Sequence, residues 1–224
     1  MLPFFLAPGA ETKLRVLCVG AHCDDIEIGC GATLMSLQSG GQVERVDWAV
    51  LSGSRERELE SEGAWTDLVS GDARGELRFG RFSDGRFPAH YEGIKAFFES
   101  MKSVQPDLVF THARHDLHQD HRTVNEMTWN TFRDAVILEY EVPKWDGDLV
   151  QPNLYVPVDR SHGDSKIDVL LNRYRSQAGR DWFTRDTFEA LMRLRGVECR
   201  SSSGWAEAFM ARKIMMTTGE AGVR

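Results

Sequence analysis

The sequence predicts an α/β domain built on a mainly parallel sheet, and three observations carry that expectation. Short apolar runs alternate with longer charged or amphipathic stretches from Leu14 to Tyr140, the pattern of strand–helix–strand units. The strand-like runs are continuously apolar, as expected of strands covered on both faces. Two of them are followed at once by dense His and Asp clusters, where parallel sheets place their sites.

The elements follow in order. Leu14 to Val19 reads as a buried strand, His22 to Glu27 as the polar turn after it, and Ile28 to Leu37 as a helix. Val43 to Leu51 is a second strand, and Arg55 to Val69 a charged helix with Leu59, Ala64, Trp65 and Leu68 at helical spacing. Glu76 to Phe79 reads as a short strand, and Tyr91 to Val104 as a helix introduced by Pro88. Leu108 to Thr111 is a strand leading into the His112 to His121 loop, followed by a helix over Arg122 to Asp134 and an extended Val136 to Tyr140. The stretch from Pro143 to Asp159 is rich in turns and short extended pieces, and helices are expected over Lys166 to Gln177 and Thr187 to Arg195.

At 224 residues one core can hold the whole chain, so a single domain over residues 1–224 is expected, with 143–224 as an elaboration around the substrate site. A hydrophobic fraction of 42% and a charged fraction of 27% are those of a folded soluble protein. The formal charge of -7 argues against nucleic acid or an acidic membrane as partner. Four cysteines at 18, 23, 30 and 199 form neither a CxxC pair nor a disulfide scaffold, which points to a reducing, cytoplasmic setting. The apolar opening Met1 to Pro8 lacks a basic n-region and is too short and Pro-broken for a signal or membrane span.

Chemistry concentrates in two places. Ala21-His22-Cys23-Asp24-Asp25-Ile26-Glu27 packs one imidazole and three carboxylates behind a buried strand. Neighbouring carboxylates repel, so a cation is the natural means of neutralising them. His22 and Asp25 are spaced to face one ion. In His115-Asp116-Leu117-His118-Gln119-Asp120-His121, a helix would put His118 and His121 on one face, one for metal and the other for substrate, with Asp120 near enough to orient an imidazole. A mixed imidazole and carboxylate set that leaves room for water is the pattern of catalytic zinc, although iron or manganese accept the same ligands.

These residues resemble the LmbE-like or PIG-L family of metal-dependent N-acetylglucosaminyl deacetylases. Ala21-His22-Cys23-Asp24-Asp25, followed by Glu27, Gly29, Gly31 and Thr33, is similar to the family's AHPDD-type motif and its glycine-rich continuation. His118-Gln119-Asp120-His121 is similar to its HxDH-type motif. Arg57 with Glu60 resembles its RxxE helix, and Lys166 with Ser176-Gln177 its late K…SQ segment. Cys23 stands where the family has proline, and Ala32 where a second glycine is common.

The resemblance implies a Rossmann-like, three-layer α/β sandwich with the metal beyond the strand ends. By it His22, Asp25 and His121 hold Zn2+, or another divalent metal, and Asp24 is general base. His118 stabilises the oxyanion as a cation or protonates the leaving amine, and Asp120 orients its neighbouring histidine. Arg57 and Asp84 are candidate substrate contacts, the first to sugar hydroxyls and the second from the Ser83-Asp84-Gly85 turn. The implied substrate is a small N-acetylated amino sugar or N-acetylglucosaminyl conjugate, and homo-oligomerisation stays open. Two other readings compete: a metal- and sugar-binding member of the fold without hydrolysis, and a hydrolase of another amide or ester.

Other conspicuous residues have plainer expectations. Glu27 reads as a first-turn acid on the helix dipole, Cys18 and Cys30 as core thiols, and His112 and His115 as loop or supporting residues. Trp65, Trp129 and Trp182 read as core or core-edge aromatics. Gly29 to Thr33 lacks both dinucleotide spacing and a P-loop lysine. Trp145, Asp146, Asn153, Tyr155 and Arg173 are expected to close over the site.

Overall fold

The computed structural model describes residues 13–215, so the opening Met1 to Pro8 lies outside the described residues. Seven strands form one sheet: β1 (Leu14–His22), β2 (Val43–Ser52), β3 (Arg74–Phe79), β4 (Leu108–His112), β5 (Val136–Tyr140), β6 (Leu154–Pro157) and β7 (Ala206–Ala211). Their order is β3-β2-β1-β4-β5-β7-β6. The strands from β3 to β5 are parallel, whereas β7 runs antiparallel to both β5 and β6. The expected three-layer, mainly parallel sandwich is the observed architecture.

Among the described residues six α-helices cover the sheet: α1 (Asp25–Ser39), α2 (Arg55–Leu68), α3 (Tyr91–Ser100), α4 (Gln119–Thr131), α5 (Arg160–Arg173) and α6 (Arg185–Cys199). Side-chain alternation along β1 divides the core in two. Val16 and Cys18 join the apolar layer under α1, α2, α5 and α6, while Leu17, Val19 and Ala21 join the layer under α3 and α4. Both faces are dry, which is why these strands read as unbroken apolar runs. Among the described residues no helix is long and apolar enough to cross a membrane.

The boundaries differ from the sequence expectation where polar residues belong to helices. α1 starts at Asp25, three residues before Ile28, and α4 starts at Gln119, before Arg122. Both helices begin inside the His/Asp clusters, so the clusters are helix N-termini as well as loops. α5 ends at Arg173, and a separate short turn covers Arg175–Gln177. The stretch expected only to elaborate the site also completes the sheet through β6 and β7.

α1 lies very close to β5, because a Cβ on Gly29 would sit 2.2 Å from the Tyr140 ring. The same helix meets β7 through a buried ion pair. Lys166 Nζ donates to the Ile28 carbonyl and to Glu207 Oε1, both at 2.6 Å, while Glu207 accepts from the N–H groups of Ala32 and Thr33 at 3.1 and 2.7 Å. The glycine-rich stretch is thus internal helix packed against protein, with no phosphate-loop geometry.

Candidate metal centre

β1 and β4 are neighbours in the sheet, so the two clusters that follow them meet at one edge. His22 closes β1, and its backbone N–H donates to Asp25 Oδ2 at 2.7 Å. Asp24, between them in the turn, has φ 106 and ψ -25, a backbone conformation that favours glycine. On the other side His118 caps α4, its Nδ1 accepting from the Asp120 N–H at 3.3 Å, which leaves His121 in the first turn.

Three donor atoms converge. His22 Nδ1 lies 3.2 Å from His121 Nε2 and 3.4 Å from Asp25 Oδ2, and His121 Nε2 lies 3.6 Å from the same oxygen. The opposite ring nitrogens are held by carboxylates. His121 Nδ1 faces Asp116 Oδ2 at 2.8 Å, and His22 Nε2 faces Asp84 Oδ1 at 3.0 Å and Asp120 Oδ2 at 3.3 Å. An ionised carboxylate only accepts, so the outer nitrogens carry the protons and the inner ones present lone pairs. Two imidazole lone pairs and a carboxylate oxygen pointed at one another repel unless a cation sits among them. Ligands at about 2.0–2.2 Å from a tetrahedral zinc would lie about 3.3–3.6 Å apart, close to the observed separations.

The local field asks for positive charge as well. Without an ion, burial works against a charged His22, but its bonds to Asp120, Asp25 and Asp84 outweigh that and hold its pKa well above the ordinary imidazole value, so a second proton on Nδ1 stands where an ion would take the lone pair. Other groupings overlap this one: His22 with His118 and His121, Asp25 with His112 and His121, and His22 with Asp84, His118 and Asp120. His112 is a poor competitor for the ion, because its Nε2 already accepts the Ala21 N–H at 2.9 Å. Asp120 is similarly engaged, accepting from the N–H groups of Gly85 and Phe87 at 2.6 and 3.0 Å.

Around this triad the remaining candidates take distinct places. Asp24 is buried, and burial pushes its pKa up to about 7 although Arg57 pulls the other way. Arg57 Nη2 donates to Asp24 Oδ1 at 2.8 Å and to the Cys23 carbonyl, and its Nε is buried without a partner among the described residues. Asp84 stands at the rim with its side chain 69% exposed. Burial and the neighbouring His22 lower the His118 pKa, and with Nδ1 accepting the Asp120 N–H the nitrogen left to meet a substrate is Nε2. The histidine that Asp120 orients is His22, 98 residues away, rather than a neighbour along the chain.

Sequence reasoning gave Asp116 no role of its own. Asp116 is buried, accepts the His118 N–H at 2.8 Å on Oδ1 and holds His121 through Oδ2; its signal was a carboxylate two, four and five residues before His118, Asp120 and His121. His112 is fully buried and stacks on His121 with ring centroids 3.8 Å apart, whereas His115 is exposed. Glu27 is the first-turn acid of α1 that was expected, with partners the sequence does not show. It is buried, accepts from the Tyr174 hydroxyl, and is pushed up to about 8 by burial.

Cys23, in the position of the family's proline, turns away from the triad. Its thiol lies 3.6 Å from the Ser52 carbonyl, and burial pushes its pKa up. Glu60 accepts the Ser176 N–H at 2.9 Å and its hydroxyl at 2.6 Å, joining two of the late sequence matches. Of the five residues expected to close over the site, Arg173 instead pairs with Asp67 on α2, Asn153 bonds to Ala211 on β7, and Tyr155 lies in β6.

Residues 17–132 match the PIG-L family, described as GlcNAc-PI de-N-acetylase. The chain belongs to the PIG-L family. Solved structures share the fold of this PIG-L chain at low identity. An N,N'-diacetylchitobiose deacetylase from Pyrococcus horikoshii has 18% identity and a TM-score of 0.64, covering 87% of this chain and 82% of its own. A zinc-inhibited teicoplanin deacetylase has 15% identity and a TM-score of 0.67, covering 87% and 96%. The 4-carboxy-2-hydroxymuconate hydratase GalB from Pseudomonas putida has 16% identity and a TM-score of 0.72, covering 92% and 99%. One fold therefore carries both amide hydrolysis and hydration, so the chemistry must be argued from the site. No curated protein matches the chain.

Proposed function

We propose that this PIG-L chain is a zinc-dependent N-deacetylase that removes the acetyl group from a small amino sugar or N-acetylglucosaminyl conjugate. One observation carries the reading: His22 Nδ1, Asp25 Oδ2 and His121 Nε2 meet within 3.2–3.6 Å, with Asp24 adjoining. In it His22, Asp25 and His121 would hold the metal, and the ion would acidify a water and polarise the amide carbonyl.

The protein's own groups then divide the proton work. Asp24, through the oxygen not held by Arg57, takes the proton of the attacking water, and a pKa of about 7 suits a base at neutral pH. The His118 Nε2–H donates to the carbonyl oxygen as it gains negative charge. Protonated Asp24 then delivers its proton to the amide nitrogen, so acetate and a free amine leave. Asp120 and Asp116 fix the two histidines, while Arg57 and Asp84 stand where sugar hydroxyls would reach them. Arg57 has a second duty, holding the base.

Three buried free thiols, Cys18, Cys23 and Cys30, support a reducing cytoplasmic setting. The shared sheet supports treating the chain as one catalytic unit. The deciding experiment measures acetate release from N,N'-diacetylchitobiose and from N-acetylglucosamine by metal-loaded protein, with chelated protein and Asp24→Asn as controls. Metal-dependent release abolished in Asp24→Asn is expected. Retained metal and sugar binding without release would instead favour the non-hydrolytic reading.

A further inference from the structure

We infer that Trp145 is a stacking platform for a second ring of the substrate, the one joined to the N-acetylated sugar, so that this site is built for a conjugate rather than a free monosaccharide. The inference rests on the deacetylase reading and deepens it.

Trp145 lies in the segment after β5, and β5 neighbours β4, whose loop carries His118 and His121. The residues flanking it are anchored on that loop. Lys144 Nζ lies 3.0 Å from Asp116 Oδ2, the carboxylate that holds His121. Asp148 Oδ2 accepts the N–H of Leu117, next to His118, at 2.6 Å, and both its oxygens bind Lys144 at 2.6–2.8 Å. The turn bearing Trp145 is thus fastened beside the metal triad by buried charge, with only two contacts between Lys144 and a proposed ligand.

The indole itself is ordered but uncovered. Its Nε1–H donates to Asp181 at 3.0 Å, Trp182 meets it edge-on with centroids 6.2 Å apart, and Arg180 lies 5.7 Å from the ring centre, yet Trp145 is 66% exposed. Leu117, at 60% exposed, extends the apolar rim toward His118. The segment bearing Asp181 and Trp182 also bonds to α2 through Ser176 and Glu60. An indole held by three neighbours on a turn tied to the His118 loop presents a preorganised π-face at little entropic cost. The C–H face of a pyranose fits such a surface, and the glycosidic bond carries the second ring outward from the reacting acetamide.

The test compares N,N'-diacetylchitobiose, with two rings, and N-acetylglucosamine, with one. Affinity is measured calorimetrically on metal-loaded Asp24→Asn protein, and kcat/KM on metal-loaded protein with Asp24 intact, each with Trp145, Trp145→Ala or Trp145→Phe. The expected result is a fall of about fivefold or more in the two-ring to one-ring affinity ratio for Trp145→Ala, matched in kcat/KM and largely restored by Trp145→Phe. An unchanged ratio, a loss that Trp145→Phe fails to restore, or no binding of the two-ring sugar overturns the inference. Absence of acetate release with a ratio that still falls would sink the deacetylase reading alone.

Discussion

At the scale of single residues, histidines three positions apart have different work. His121 contributes a lone pair to the triad, whereas His118 spends Nδ1 on a backbone N–H and offers Nε2 outward. His121→Ala is therefore expected to lose metal by elemental analysis, while His118→Ala keeps it and turns over about 100- to 1000-fold more slowly. Equal metal loss in both variants would overturn the division. Glu27 allows a second prediction, on metal-stripped protein. Burial raises its folded-state pKa to about 8 from an ordinary value of 4.5, so the folded protein holds a proton there that the unfolded chain has released. Its contribution is complete below about pH 4.5 and disappears as pH rises through about 8. Thermal midpoints from pH 5 to 8 should fall more in the protein with Glu27 than in Glu27→Gln; parallel curves would mean that Glu27 is ionised in the fold. Most of the proposed site residues are readable from composition and spacing alone. The role of Asp116 and the proton on Glu27 are not, because both depend on what lies across from them in space.

At the scale of elements, α1 joins the site to the rest of the fold. Its N-terminus supplies Asp25, its middle touches Tyr140 through Gly29, and its next turn binds Glu207. Gly29→Ala forces a methyl against the ring and is expected to destabilise the protein by about 1–3 kcal/mol in urea unfolding; an unchanged midpoint would show that the contact is slack. The strands β1, β2, β4 and β5 are legible because two-sided burial leaves uninterrupted apolar runs. β7 is hidden for the opposite reason. Ala206-Glu207-Ala208-Phe209-Met210-Ala211 carries a carboxylate in mid-strand, and partners distant in sequence, Lys166 and the N–H groups of Ala32 and Thr33, make that carboxylate a core residue. Helices α1 and α4 begin earlier than hydrophobic spacing indicates, because their first turns carry the polar cluster residues Asp25, Glu27, Asp120 and His121.

At the scale of the molecule, the triad brings the end of β1 to the first turn of α4 across 99 residues of sequence, so an ion bound there would act as a cross-link between distant parts of the chain. Free metal at about 100 times its Kd contributes about 2.7 kcal/mol, which for a protein of this size raises the melting temperature by about 5–11 °C. Scanning calorimetry of chelated and zinc-loaded protein should show that difference. No shift with zinc, iron or manganese would remove the basis for the metal centre. The architecture follows from alternation, two-sided burial and the placement of clusters after strands, all of them local patterns. Which sugar is accepted is not written locally, because the residues around the mouth come from at least four separate segments.

The backbone at Asp24 has a consequence for any attempt to improve the protein. A residue held at φ 106 with a buried carboxylate is one that folding alone would replace, since glycine relieves about 1–2 kcal/mol of torsional cost there. The ion pair with Arg57 opposes that gain, because losing Asp24 alone strands a largely buried guanidinium, so selection for heat tolerance without an activity screen should reach Asp24→Gly only together with a change at Arg57.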